Sequence, residues 1–357
     1  MTKPTRSWSA GLGLKTVATL LLSTLLISCG SSKKYDEFAP SRIVAAGDGM
    51  SYLGVAPGYA NPFTVKEDVT IANVNGTYDH WLKQFGYGYG LTSIGTDLNG
   101  TGNIISLAAR PTPGLHGTPP SGFGVLDTVG GVPGIKSQID AAIASHGIRA
   151  DDLLVLSVGM GDILELSEKY LNGTITSANM LTQAKARGQA YMDYANQLYQ
   201  DGVFKRIILV TPLNLRVSPY AKNALPAGLA DAGGLIDKMT EEFVYGTKTN
   251  ASTYPRSGGV WLFDATNLLL NVNLWTTINM TDPFCAKTPA VLETCDAKTT
   301  ADATSLNTLN TDVATYYNSH TSVYPVYFYA GSLLPTPFIH RHLGSTMYSR
   351  MRSGIGF

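Results

Sequence analysis

Leu153-Leu154-Val155-Leu156-Ser157 is a short apolar run that leads directly into Val158-Gly159-Met160-Gly161-Asp162. A continuous apolar run of this length, bounded by glycine, is typical of a strand that is buried on both faces of a parallel sheet. Similar runs occupy residues 43–46, 206–210, 260–263 and 324–329. The chain therefore contains several candidate strands of one sheet.

Helical patterns lie between these runs, at residues 138–145, 181–200, 235–244 and 338–351. Alternating strands and helices predict a single α/β domain, in which a parallel sheet is covered by helices on both faces. Functional loops in such sheets follow the carboxyl ends of the strands. Gly49, Gly161 and Gly331 each follow a predicted strand, so we expect these three positions to converge at one edge of the sheet.

Three blocks of the chain, taken in order, carry a family resemblance. They are Ile43-Val44-Ala45-Ala46-Gly47-Asp48-Gly49-Met50-Ser51-Tyr52-Leu53-Gly54, the run ending Gly159-Met160-Gly161-Asp162, and Tyr327-Phe328-Tyr329-Ala330-Gly331-Ser332-Leu333-Leu334-Pro335-Thr336-Pro337. These blocks resemble those of the SGNH/GDSL esterase and lipase family, which read Gly-Asp-Ser-Leu-Ser-Asp-x-Gly, Gly-x-Asn-Asp and Ala-Asp-x-x-His-Pro-Thr-Pro. Residues 103–110 match a further family block only loosely. The resemblance implies the SGNH-hydrolase-like (flavodoxin-like) form of the predicted fold.

The resemblance also implies that four functional positions have lost their side-chain chemistry. Gly49 stands where the family has its nucleophilic serine, and Gly161 where it has the asparagine that donates to the oxyanion. Gly331 and Leu334 stand where it has the catalytic aspartate and histidine. Acyl transfer needs a nucleophile, a base, an orienting carboxylate and oxyanion donors. Glycine and leucine supply none of these, so we predict a non-catalytic binding or scaffold protein without catalytic residues.

Two other interpretations stay open. The first is an active carboxylic-ester hydrolase with a rearranged site, in which Ser51 would be the nucleophile. A reactive serine needs a base within hydrogen-bond reach, and the third block places His340 and His342 nearby in sequence. We interpret both histidines as helix-surface or packing residues, and Ser51 as a capping or packing residue. The second is a structural envelope component that makes its contacts through its exposed surface.

The former catalytic cleft is expected to be lined by Asp48, Tyr52, Met160 and Asp162. If Tyr52, Met160 and Leu334 fill this cleft, a role for the outer surface is favoured. If the glycines leave the cleft hollow, an acyl chain, a glycan or another envelope protein could bind there. The same residues therefore separate a binding protein from a structural one.

Other ligand chemistries find little support in the sequence. The six histidines are scattered, so neither a metal nor another cofactor is expected. The run Gly86-Tyr87-Gly88-Tyr89-Gly90 lacks nucleotide-binding spacing, and we interpret it as a loop. No basic patch is evident, so no nucleic-acid partner is expected.

The first 28 residues have the pattern of a targeting segment. Basic residues precede an apolar core at residues 17–27, which is too short for a stable transmembrane span. Leu26-Ile27-Ser28-Cys29-Gly30 follows and resembles a bacterial lipobox, which implies acylation of Cys29 and a membrane anchor. Residues 29–40 then read as a flexible tether, and residues 41–357 as the domain. We expect the protein in the bacterial cell envelope, with the outer membrane favoured.

The remaining charges and cysteines fit that compartment. Removing Lys3, Arg6 and Lys15 with the targeting segment lowers the basic count from 26 to 23, against 26 acidic residues, for a net charge of −3. Such mild acidity indicates no polyanionic partner. Cys285 and Cys295 lie in a polar segment at residues 279–320 and would suit a disulfide in an oxidising compartment, the alternative being two free thiols.

Overall fold

A five-stranded sheet forms the centre of the structure. Its strands are β1 (Arg42–Gly47), β2 (Ile104–Ser106), β3 (Asp152–Ser157), β4 (Arg206–Val210) and β5 (Gly259–Phe263). They lie in the order β2-β1-β3-β4-β5, and every neighbouring pair is parallel. The predicted α/β fold with a parallel sheet is therefore confirmed.

These coordinates come from a computed structural model, and the part of the chain that it describes is residues 39–51, 53, 80–95, 98–99, 101–108, 134–226, 229, 234–251, 259–270, 278–279, 326–329, 333, 335 and 337–353. The described residues belong to one compact unit, Ala39–Phe357. Several predictions fall on other residues. They are the targeting segment, most of the tether, Cys29, Tyr52, Cys285, Cys295, Gly331 and Leu334.

Helices cover the sheet, and two turns of 3-10 helix lie at Gly49–Ser51 and Leu215–Val217. Among the described residues the helices are α1 (Trp81–Gly88), α2 (Ile135–Ala144), α3 (Met160–Leu171), α4 (Ser177–Gln200), α5 (Pro219–Ala224), α6 (Leu235–Thr247), α7 (Ala265–Leu270) and α8 (Pro337–Ser353). None of these helices has the length and apolar character needed to cross a bilayer.

Packing explains why the central strands read as unbroken apolar runs. Every residue of β1 and β3 is buried. Since successive side chains of a strand point to opposite faces, both faces of these two strands are covered. Helix α2 contacts β1, α4 contacts β4 and β5, and α1 contacts β2, while α6 packs on α4 and α8 packs on α1.

Two local predictions need correction, and one strand was missed. The strand expected at residues 324–329 is described only as β7 (Val326–Tyr327), which pairs with β6 (Ile278–Asn279) in a separate two-stranded sheet. Strand β2 was not predicted, because three residues are too few to show a pattern. The interpretation of residues 86–90 as a loop is wrong for Gly86, Tyr87 and Gly88, which lie in α1. A Cβ at Gly86 would lie 2.6 Å from Ile104 Cδ1, so glycine permits the close contact of α1 with β2.

A buried ion pair joins the amino ends of β1 and β3. Arg42 and Asp152 are register partners, and both side chains are fully buried. The Arg42 Nε–H donates to Asp152 Oδ1 at 2.7 Å, and its Nη1–H donates to the Leu98 carbonyl at 2.6 Å. A further Arg42 N–H donates to the Gly147 carbonyl. The guanidinium thus holds two loops as well as two strands at this edge of the sheet.

Candidate functional site

The opposite edge of the sheet brings together the ends of β1 and β3. Gly47 ends β1 and Ser157 ends β3, and the two are register partners. The backbone of Gly47 has φ of +135°, and the next residue, Asp48, donates its N–H to the Ser157 carbonyl at 3.0 Å. The 3-10 turn then follows β1, while Gly159 caps the start of α3. The turns that follow these two neighbouring strands therefore lie next to each other, at the carboxyl ends of β1 and β3.

Asp48 is fully buried in this place. Its Oδ1 accepts the Met50 N–H at 3.0 Å and the Ser157 hydroxyl at 2.9 Å. Its Oδ2 has no hydrogen-bond partner among the described residues. Burial, reinforced by the charge of Asp162, raises the pKa of Asp48 to about 6, although its hydrogen bonds to Ser157 and the backbone favour the charged form. Asp48 is thus a buried carboxyl that is only half satisfied.

Asp162, in the first turn of α3, is bound from α4. The Tyr191 hydroxyl donates to Asp162 Oδ2 at 2.7 Å, and Arg187 Nη1 donates to Oδ1 at 3.0 Å. The same Arg187 nitrogen lies 2.7 Å from Glu165. Burial raises the pKa of Asp162 to about 6 despite the charge of Arg187. Burial likewise raises the pKa of the Tyr191 phenol, so this hydroxyl acts as a donor.

The glycines singled out from the sequence lie beside these carboxyls. Gly49 begins the 3-10 turn after β1, and Gly161 is the second residue of α3 after β3. Met160, Asp48 and Asp162 were expected to line a cleft. They are at most 2% exposed, and their place in a cleft stays a prediction.

Ser51 is also fully buried. Its Oγ has no hydrogen-bond partner among the described residues, while its carbonyl accepts the Ser106 hydroxyl at 2.6 Å. A serine nucleophile needs a base within hydrogen-bond distance of its oxygen. No side chain in the described ranges meets that condition for Ser51.

The structure also brings together two histidines that the sequence does not connect. The rings of His80 and His340 stack with their centroids 4.9 Å apart. His340 Nδ1 accepts the Trp81 N–H at 3.4 Å, and the Trp81 indole donates to the Met50 carbonyl at 2.8 Å. His340 is therefore a packing residue, one of the two roles predicted for it. Its partner lies far away along the chain, and no motif links the two positions.

Burial keeps both imidazoles neutral. It lowers the pKa of His80 well below the usual value, helped by the neighbouring His340, and lowers the pKa of His340 to about 3. His80 Nδ1 accepts the Leu82 N–H at 3.2 Å and so caps α1. Across the described part of the chain, no three His, Cys, Asp or Glu side chains are grouped to hold a metal ion. The pair supplies packing and helix capping.

Acidification is expected to destabilise the fold through these histidines. Burial lowers the pKa of His340 from its ordinary 6.5 to about 3, so its contribution to the free energy of unfolding is complete above pH 6.5 and is lost as the pH falls towards 3. The loss at pH 5 should be about 2 kcal/mol. Urea denaturation at pH 7.5 and pH 5 should show a smaller acid loss for His340→Asn, whose amide oxygen can replace Nδ1 as acceptor.

The control is His146→Asn, since His146 is exposed. This variant should lose as much stability on acidification as the wild type. An equal acid response of His340→Asn and the wild type would contradict the assignment of His340 as a buried neutral imidazole.

No family model matches the chain, and no curated protein matches it.

Proposed function

We propose that this protein is a non-catalytic, lipid-anchored envelope protein with an SGNH/GDSL-hydrolase-like domain. The observation that carries the proposal is the turn after β1. Gly49 offers no side chain there, and the hydroxyl of Ser51 is buried without a base within hydrogen-bond distance in the described residues. Loss of a nucleophile or base from a catalytic triad lowers turnover by about 10⁶-fold.

The topology supports the family proposal. The strand order β2-β1-β3-β4-β5 is the flavodoxin-like order of doubly wound sheets. The order reverses between β1 and β3, and ligands of such sheets bind at that point. Gly49 and Gly161 both follow strands at this point. Fold alone does not imply function, so the activity has to be argued from the side chains.

The carboxyls beside these glycines favour a structural role. Asp48 is bound to Ser157 and to the Met50 backbone, and Asp162 is bound to Tyr191 and Arg187. A triad carboxylate orients a histidine, whereas Asp48 joins the turn after β1 to the end of β3, and Asp162 joins α3 to α4. In this proposal the domain binds an acyl chain, a glycan or another envelope protein, and acylated Cys29 anchors it to the membrane.

The test is ester hydrolysis by the purified full-length protein and its Ser51→Ala variant, over short to long acyl chains. We expect no turnover above buffer for either protein, because no described base can activate Ser51. Ser167→Ala is a matched control, since Ser167 is a fully buried serine that donates to the Ile163 carbonyl.

Turnover that Ser51→Ala abolishes and Ser167→Ala retains would overturn the proposal and establish the alternative, a hydrolase with a rearranged site. Absence of turnover in all three proteins leads to the second experiment, mass spectrometry of lipids and glycans that copurify with the wild-type protein. A stoichiometric ligand would identify the binding partner, and its absence would favour a role for the outer surface.

A further inference from the structure

Two imidazole rings join the amino ends of α1 and α8. His80 precedes α1, and its Nδ1 accepts the Leu82 N–H at 3.2 Å. His340 lies in the first turn of α8, and its Nδ1 accepts the Trp81 N–H at 3.4 Å. A neutral imidazole accepts at one nitrogen and carries its proton on the other. Both rings are therefore neutral in this arrangement, and each directs its accepting nitrogen to a backbone N–H of α1.

Protonation of either ring would remove these contacts. A proton added at Nδ1 turns the acceptor into a donor, which then faces the backbone N–H that it had bound. The two rings stack with their centroids 4.9 Å apart, so two imidazolium charges would also repel each other. Positive charge is unfavourable at the amino end of a helix, where the helix dipole is itself positive. Proton uptake therefore weakens the junction between α1 and α8.

The groups around the two rings act mainly in the same direction. Burial has the largest influence on the pKa of His80 and favours the neutral ring; the neighbouring charges of His340 and Lys83 reinforce it, and only the Met50 carbonyl opposes it. Burial alone lowers the pKa of His340 to about 3. No carboxylate in the described ranges acts on either ring, so none of them stabilises the protonated pair.

Helix α8 depends on this junction for its attachment. Among the described helices and strands, α1 is its main neighbour. One turn after His340, a Cβ at Gly344 would lie 2.3 Å from the Trp81 carbonyl oxygen, so the backbones of the two helices are in contact. The Trp81 indole in turn donates to the Met50 carbonyl at 2.8 Å, in the 3-10 turn after β1. The junction therefore connects α8 to the turn at the candidate site.

We propose that His80 and His340 form an acid switch, which releases α8 and the amino end of α1 when either ring takes up a proton. Release would also break the hydrogen bond from Trp81 to Met50 and so loosen the turn Gly49–Ser51. The switch differs from a general loss of stability in acid, because α8 opens while the central sheet stays paired. It is independent of the proposed function, since it would operate whether or not the domain binds a ligand.

The experiment is amide hydrogen exchange of the full-length protein at pH 7 and pH 5, corrected for the intrinsic rates. We expect the opening constant of α8 and of the first turn of α1 to rise about 25-fold at pH 5 through His340 alone, because opening restores its ordinary pKa of 6.5 from about 3. The amides of Met50 and Ser51, which donate to Asp48 in the closed turn, should follow. At pH 5 the opening constant of α8 should exceed those of β3 and β4.

Asparagine variants separate the contributions of the two rings. In His80→Asn the side-chain oxygen can still cap α1, since asparagine is among the most favoured N-cap residues. In His340→Asn the side-chain oxygen can still accept the Trp81 N–H. Each variant should lose part of the acid response, and the double variant should lose nearly all of it. The control is His146→Asn, which should keep the full response because His146 is exposed.

An opening constant for α8 that stays constant or falls at pH 5 would overturn the proposal. Equal opening constants for α8 and β3 would also overturn it, since acid would then open the whole domain together. If the variants do not fold, nitrogen-15 NMR of the histidines in the wild-type protein provides the test. Rings of His80 and His340 that stay neutral at pH 5 in the folded protein support the switch, and titration of either ring near 6.5 overturns it.

Discussion

Replacement of Arg42 by Met is expected to destabilise the protein by about 3–5 kcal/mol, because it leaves the Asp152 carboxylate buried without its cation. The substitution also removes the hydrogen bonds to the carbonyls of Leu98 and Gly147. A loss of this size is a large part of the total stability of a typical domain, about 5–15 kcal/mol. Urea denaturation at pH 7.5 would measure it.

The matched control is Arg216→Met. Arg216 and Asp237 lie 3.2 Å apart, but their side chains are 24% and 15% exposed, so water screens the pair and the cost should be about 1 kcal/mol or less. The double variant Arg42→Met/Asp152→Leu should recover much of the loss, since it buries no lone charge. Equal losses of stability for Arg42→Met and Arg216→Met would contradict the explanation that burial makes the pair of Arg42 and Asp152 important for stability.

Replacement of Gly47 by Ala is expected to cost at least about 3 kcal/mol, since it combines backbone strain with a collision. The new Cβ would lie 1.9 Å from the Ser157 carbonyl oxygen, on a backbone with φ of +135°. To relieve this collision, β1 and β3 would have to move apart, and the hydrogen bond from Ser157 to Asp48 would be lost. Thermal and urea denaturation would show the loss, and a low yield of soluble protein would be its extreme form.

Gly173→Ala separates strain from collision. Gly173 also has positive φ, +68°, but a Cβ there would meet nothing within 4 Å. Its cost should be about 1 kcal/mol, from the left-handed backbone alone. If Gly47→Ala cost no more than Gly173→Ala, the close approach of β1 and β3 at this edge would not be a constraint.

The strands that the sequence predicts well are those whose local pattern and burial agree. Predicted runs at residues 43–46 and 153–157 become β1 and β3, because strands covered on both faces need apolar residues at nearly every position. Helix α6, expected at residues 235–244, begins at Leu235 as predicted and ends three residues later than expected, at Thr247.

The sequence fails where packing overrides local preference. Gly86 weakens any helix that contains it, yet the contact with Ile104 favours glycine at that point of α1. Helix α3 was not predicted, because Gly159 and Gly161 lie at its start and glycine is a weak helix former. Residue types do not reveal which side chains become partners in the fold. The stacking of His80 on His340 and the ion pair of Arg187 with Asp162 arise from contacts between separate helices and loops of the chain.

The order of strands in the sheet has a consequence for how the chain folds. Strand β1 is the first to be synthesised, yet one of its neighbours, β3, begins 110 residues later, at Asp152. Strands β3, β4 and β5 are neighbours both in the sheet and in sequence, so their closing loops are shorter. Because loop-closure entropy precedes the gain from long-range contacts, we infer that β3, β4 and β5 assemble first. Strand β1 then docks late, and the ion pair between Arg42 and Asp152 forms only at that step.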